Sequence, residues 1–364
     1  MLLNPEFTEK LIRKYERRVA PFTFIIGFLF DTLTLSRIDL WIDHLVIILY
    51  LALAGLGIII FNFYENGSLR FRPLDAVFAF IPVVIQFAFG GLFSAFVIFY
   101  TKSLTFAKSW FFLLILVALL IGNERFRRRY QRFVFQVSIY FIAVFSYFVF
   151  LFPILFRKIG ADIFIISGLA ALGFIAFFLS FFSYFVPAQI KKGRKGLMAS
   201  VAVIYAVFNI FYFANIIPPI PLSLKESGIY HSVQRVDEEE YAVSYEKAPL
   251  YTPFQDTNWI YHYRPDERVY YFTSVFAPTK FNIPVLHQWS HYSQKEKKWI
   301  IQNRIKFNIF GGRDGGYRGY SYKTAIEPGK WRVETITEGG QVIGRETFQI
   351  IETSQEPDLE YGLR

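Results

Sequence analysis

Hydrophobic and polar positions follow two regimes that meet at Ile216 to Leu224, IIPPIPLSL, where three prolines end the last long apolar run. Upstream, seven apolar segments separated by charged loops cover 21–35, 44–63, 75–100, 109–122, 133–156, 163–186 and 197–217. All but the first and fourth approach or exceed the ~17 residues a helix needs to cross a bilayer core. The third holds Pro82 and Gly90-Gly91, which predict a kink, a tilt or two half-helices. Downstream the period changes to two: Trp299, Ile301, Asn303, Ile305, Phe307 and Ile309 alternate with more polar neighbours, as in a strand with one apolar face. Further strands are predicted over 230–236, 241–246, 269–276, 285–292, 317–326, 331–336 and 342–351, with Glu338-Gly339-Gly340 as a hairpin turn.

The fold class that follows is a membrane α-helical bundle of about seven spans, then an all-β, immunoglobulin-like sandwich. The predicted organisation is an amphipathic cytoplasmic segment (1–20), a transmembrane bundle (21–217), a Pro-rich linker (218–228), a β-sandwich domain (229–352) and a flexible tail (353–364). The N-terminal segment has no cleavable-signal pattern, and its Phe7, Leu11, Ile12 and Tyr15 share one helical face.

Composition agrees, since 54% of the 364 residues are hydrophobic and there is no cysteine. Disulfides and thiol chemistry are therefore excluded. The excess of basic residues lies entirely before Pro218, where it reports topology and lipid headgroups rather than nucleic acid. With the N-terminus inside, the cytoplasmic segments carry sixteen Lys and Arg and the outer loops five. This bias orients the bundle with its N-terminus in the cytoplasm, and seven spans then put the C-terminal domain outside it.

Several strings carry a resemblance: PPIPLSLKESGIYH (218–231), VYYFTSVFAP (269–278), HQWSH (287–291), GGRDGGYRGY (311–320) and GKWRVETITEGGQVIGRETF (329–348). Together they resemble the bacterial family catalogued as domain of unknown function 2914. FDTLTLSRIDLWIDHL (30–45) and NERFR (123–127) look like the multi-span regions that accompany it. The resemblance implies an envelope protein of the bacterial inner membrane and no particular activity.

Two constellations carry candidate chemistry. Asp31, Arg37, Asp39, Asp43 and His44 bracket the first outer loop. Carboxylates in hydrocarbon need a partner or a proton, so the cluster is either a cation or proton site or a cap-and-pair network with Asp43 capping the second span. GGRDGGYRGY offers glycine backbone beside Arg313, Asp314, Tyr317, Arg318 and Tyr320, suited to a carboxylate, phosphate or sugar; the alternative is a glycine-rich connection between strands. His287 and His291 lie on one face of a strand with Trp289 between them, too far apart to share a metal. They predict a packed ridge or a binding face, which His262 could join across space. No catalytic motif, metal site or cofactor is read from the sequence. The expected function is that of a non-catalytic inner-membrane protein, such as an accessory subunit of a membrane complex. Its expected partners are the bilayer and an envelope glycan, a lipid headgroup or a partner protein bound by the periplasmic β domain. The alternative is a transporter or membrane enzyme built on the acidic cluster.

Overall fold

A computed structural model describes residues 31–33, 35, 40–67, 81–102, 114–119, 133–237, 240–248, 258–265, 267–324 and 326–364. The chain divides into a helical unit and a β-rich unit, the latter taking in Asn215–Arg364.

Among the described residues five helices are long and apolar enough to cross a membrane: α1 (Trp41–Glu65), α2 (Ile81–Lys102), α3 (Phe133–Phe156), α4 (Ala161–Phe185) and α5 (Pro187–Phe213). They correspond to the second, third, fifth, sixth and seventh predicted segments. The first and fourth lie largely outside the described residues, as do Arg37 and Asp39 and the N-terminal amphipathic segment. Many large apolar side chains of these helices are exposed, including Leu49, Leu56, Phe177 and Ile210, as expected of surfaces solvated by lipid.

Close approach of small residues packs the helices. A Cβ at Gly57 of α1 would stand 2.7 Å from Ile85 of α2, and one at Gly91 of α2 would stand 2.6 Å from the Tyr50 ring of α1. The described part of the third segment is one continuous helix through Gly90-Gly91, because those glycines serve packing rather than a break. A buried amide pair ties α1 to α3, where Asn62 Nδ2 donates to Gln136 Oε1 at 2.7 Å. The basic stretch Lys191 to Lys195, expected as a loop, forms the early turns of α5, because Pro187 occupies the helix start and an exposed helical face suits cations.

Among its described residues the β unit contains three sheets: β1–β5–β8, β4–β10–β9–β6–β7 and β11–β3–β2. Their strands are β1 (Ser223–Tyr230), β2 (Ser232–Arg235), β3 (Tyr241–Tyr245), β4 (Ile260–Tyr263), β5 (Val269–Phe276), β6 (Asn282–Ser293), β7 (Lys298–Phe310), β8 (Tyr317–Lys323), β9 (Gly329–Thr337), β10 (Val342–Glu352) and β11 (Glu360–Leu363). The pairings are antiparallel except β4 with β10. Inward residues of the first two sheets share one core, with Ile229, Val269 and Tyr271 from one and Trp289, Trp331, Val333, Phe348 and Ile350 from the other. Tyr230 and Phe272 point the opposite way, toward Val233 and Val243 of the third sheet.

Three expectations are corrected. The strand β1 begins inside the stretch read as linker. The tail is not a flexible end: β11 pairs with β3 through the backbone, Lys247 Nζ meets Glu360 at 2.7 Å and Arg364 Nε meets Glu226 at 2.5 Å. A register shift between Trp289 and Ser290 pairs Trp289 with Asn303 but Ser290 with Ile301, so Ile301 leaves the face of Ile305, Phe307 and Ile309.

Gly91→Leu should weaken the α1–α2 contact by about 1–3 kcal/mol. Gly173→Leu, at a position where an added Cβ meets nothing within 4 Å, should be neutral in the same detergent unfolding assay.

Candidate functional site

The His-Trp-His ridge forms as a packed inner feature. His287 and Trp289 are fully buried and His291 is half-buried, its ring 4.8 Å from that of Trp331. His287 Nε2 lies 2.9 Å from Thr273 Oγ1 on β5, and its Nδ1 lies 2.9 Å from Ser321 Oγ on β8. Trp289 Nε1 donates to the same Ser321 Oγ at 3.0 Å, and Thr273 Oγ1 donates to Gly319 O at 3.4 Å. These bonds assign one consistent direction. Trp289 N–H donates to Ser321, whose hydroxyl donates to His287 Nδ1; His287 Nε2–H donates to Thr273, which donates to the Gly319 carbonyl. Only a neutral imidazole completes this chain, and burial pushes the His287 pKa down to about 3. Both ring nitrogens are thereby occupied, so His287 is a structural link between sheets and not an available ligand.

His262 joins neither His287 nor His291. It pairs with a carboxylate that sequence reasoning missed: Glu246 accepts from His262 Nδ1 at 2.7 Å, from the His262 backbone N–H at 2.7 Å and from His231 Nε2 at 3.1 Å. The His231 ring lies 4.1 Å from Tyr261, nearly parallel to it. Burial raises the Glu246 pKa, but the hydrogen bonds from His231 and His262 outweigh it and leave the carboxyl below its ordinary value. The three residues come from distant strand ends, so no local motif announces them. Among the described residues no group of His, Cys, Asp or Glu has the arrangement of a metal site.

The glycine-arginine block divides. Arg313 and Asp314 lie exposed in the β7–β8 connection, with the Arg313 guanidinium 5.7 Å from the Tyr317 ring. Tyr317 turns inward against the core of Val275 and Ile309. Arg318 and Tyr320 point outward, opposite Ser274 and Phe272. Much of the glycine content is explained by packing. A Cβ at Gly311 would run into the Pro278 carbonyl oxygen, and Gly316, at φ +86°, would press on Ser274 Oγ at 2.5 Å.

Outward of β5 and β8 the tyrosines form a row that sequence reasoning found only in part. Tyr270 and Tyr322 are register partners with rings 5.6 Å apart; Tyr320 lies 5.9 Å from Tyr270 and 6.0 Å from Tyr241 of β3. Arg268 stands 4.8 Å over Tyr322. Tyr320 and Tyr322 are 40% and 46% exposed, so part of each side chain meets solvent. Alternation along β8 places both on one side, a signal present in YRGYSYK.

In the helical unit Asp31, Asp43 and His44 are buried. Leu40, not Asp43, is the N-cap of α1, and Asp43 sits in its first turn. His44 packs edge-on to Tyr147 of α3 with ring centroids 5.9 Å apart.

Residues 283–350, which build β6 to β10, match the family model described as a protein of unknown function, DUF2914. The C-terminal region thus carries a DUF2914 segment. The chain is also similar to an immunoglobulin-like protein from Pseudomonas aeruginosa, at 6% identity and TM-score 0.21, covering 36% of this chain and 96% of that one. Another similar structure is a Pseudomonas fluorescens alkylpurine DNA glycosylase, AlkC, bound to DNA containing an abasic site analog, at 9% identity and TM-score 0.22, covering 78% and 83%. A beta-glucosidase from Kluyveromyces marxianus in complex with glucose aligns at 9% identity and TM-score 0.16, covering 38% of this chain and 14% of that one. All three TM-scores lie below the level at which a shared fold follows. No curated protein matches the chain.

If the DUF2914 loop glycines serve packing, Gly311→Ala should destabilise the β unit by about 2 kcal/mol or more. Gly315→Ala, where the nearest group is the far end of Arg318 at 3.9 Å, should leave stability unchanged in the same denaturant titration.

Proposed function

We propose that the chain is a non-catalytic protein of the bacterial inner membrane, with its N-terminus in the cytoplasm. In this reading its C-terminal region is an immunoglobulin-like sandwich on the periplasmic side that binds an envelope glycan. The observation that carries this reading is the row of Tyr241, Tyr270, Tyr320 and Tyr322 with Arg268 over its end. Flat rings with apolar faces and polar tips suit the C–H faces and hydroxyls of a sugar, and the nearby guanidinium suits its acidic or amide substituents. The shared core of the first two sheets supports the sandwich, and the bias of basic residues toward alternate loops supports the orientation. Arg318, two residues before Tyr320 on the same face of β8, adds a secondary contact in this reading, with Arg313 and Asp314 of the β7–β8 connection as further candidates.

A second reading has a specific observation in its favour. Buried Asp31, Asp43 and His44 fit a transporter or membrane enzyme in which they form an ion or proton site.

Co-sedimentation of the full-length protein in detergent with purified peptidoglycan sacculi separates the two. Under the first reading Tyr320→Ala with Tyr322→Ala reduces retention several-fold, and Asp31→Asn does not change it. Retention that is absent in the wild type, or equal in the tyrosine variant, rejects glycan binding through this face.

A further inference from the structure

The outward face of the five-stranded sheet carries a second, chemically different feature. Register sets Arg345 (β10) opposite Glu334 (β9), Glu334 opposite Gln288 (β6), and Gln288 opposite Arg304 (β7). Side chains link along this row: Arg345 Nε donates to Glu334 Oε1 at 2.8 Å, Gln288 Nε2 to Glu334 Oε2 at 3.2 Å, and Arg304 Nε to Gln288 Oε1 at 2.8 Å. The next row pairs Ser290 with Arg332, whose Nη2 lies 3.5 Å from Glu334 Oε2. One buried carboxylate therefore serves two guanidinium groups directly and reaches a third only through Gln288.

Two polar atoms in the second row are unsatisfied. Ser290 is 0% exposed and its Oγ has no hydrogen-bond partner among the described residues. Arg332 Nε, on the cross-strand neighbour, is buried and likewise without an acceptor. An Nε–H can only donate, and a buried donor without an acceptor is costly. Two such groups side by side, among guanidinium groups in excess of carboxylate, call for a ligand oxygen with negative charge.

We propose that Ser290 and Arg332, flanked by Arg345 and Arg304, form an oxyanion site that takes a phosphate group. A phosphate brings several acceptor oxygens, enough for the Ser290 hydroxyl and the Arg332 side-on edge together. The Arg332 guanidinium stands 4.5 Å over the Trp299 ring, and occupancy turns it away from that ring. All of these residues lie within the segment that matches DUF2914. The site is separate from the tyrosine row, which is on another sheet, and does not rest on the glycan reading.

The test is titration of the full-length protein in detergent with inorganic phosphate, read by isothermal calorimetry and by tryptophan fluorescence. The expected result is saturable binding with a fluorescence change that Trp299→Phe removes while binding persists. Ser290→Ala and Arg332→Gln should each weaken binding about tenfold or more. Arg332→Lys should not restore it, because an ammonium lacks the planar edge. Ser290→Ala leaves the Glu334 row untouched, so it decides the matter if an arginine variant fails to fold. No binding at millimolar phosphate, or unchanged binding by Ser290→Ala, overturns the proposal and assigns the two orphaned donors to water.

Discussion

A hydrogen-bonded chain from Trp289 through Ser321, His287 and Thr273 to the Gly319 carbonyl is the constraint on which the β unit depends. It crosses from the five-stranded sheet to the three-stranded one in the middle of a core otherwise closed by Tyr271, Trp331, Val333 and Phe348. Polar groups at that depth are tolerated only when each finds a partner, and this chain satisfies every one without placing a charge in the core. It also fixes the faces: with residues 287, 289, 319 and 321 pointing inward, residues 288, 290, 320 and 322 must point outward. The tyrosine row and the arginine row are both consequences of that one phase.

The two outward faces differ in chemistry because the strands supply different alternate residues. On β5 and β8 these include Tyr270, Tyr320 and Tyr322, beside Arg318 and a Phe272 that is buried against the third sheet. On β6, β7, β9 and β10 they include Gln288, Arg304, Glu334, Arg332 and Arg345, long side chains linked to one another by hydrogen bonds and ion pairs. The C-terminal strand contributes indirectly: β11 pairs with β3, whose Tyr241 touches Tyr320. In the helical unit the corresponding constraint is close packing, in which Gly57 and Gly91 admit Ile85 and Tyr50, and the Asn62–Gln136 bond supplies a specific polar tie.

Much of this was legible in the sequence because the periodic signals are strong. The segment 133–156 is α3 and 269–276 is β5 to the residue, and Gly340 turns the β9–β10 hairpin at φ +83°. The missed features depend on long-range contacts. A one-residue bulge moves Ile301 across the sheet without any mark in the local pattern. The stretch leading into β11 is rich in Glu, Asp and Pro, so its composition reads as disorder although β11 itself pairs with β3. The Glu246 cluster joins residues 231, 246 and 262, and Tyr270 and Tyr241 become neighbours of Tyr320 only through the fold. His287 reads in the sequence as part of a packed ridge or a binding face, and its neutrality follows from Thr273 and Ser321, which only the fold brings to it.

The protonation state of His287 reports the link between the two sheets. Nitrogen-15 NMR of the imidazole in the full-length protein, followed from neutral pH down to ~pH 4, reads that state without perturbing the fold. The prediction is a single neutral form carrying its proton on Nε2 throughout, since its pKa lies at about 3 against 6.5 for an ordinary histidine. A titration midpoint near 6.5, or a proton on Nδ1 at neutral pH, would contradict the hydrogen-bonded link between the sheets.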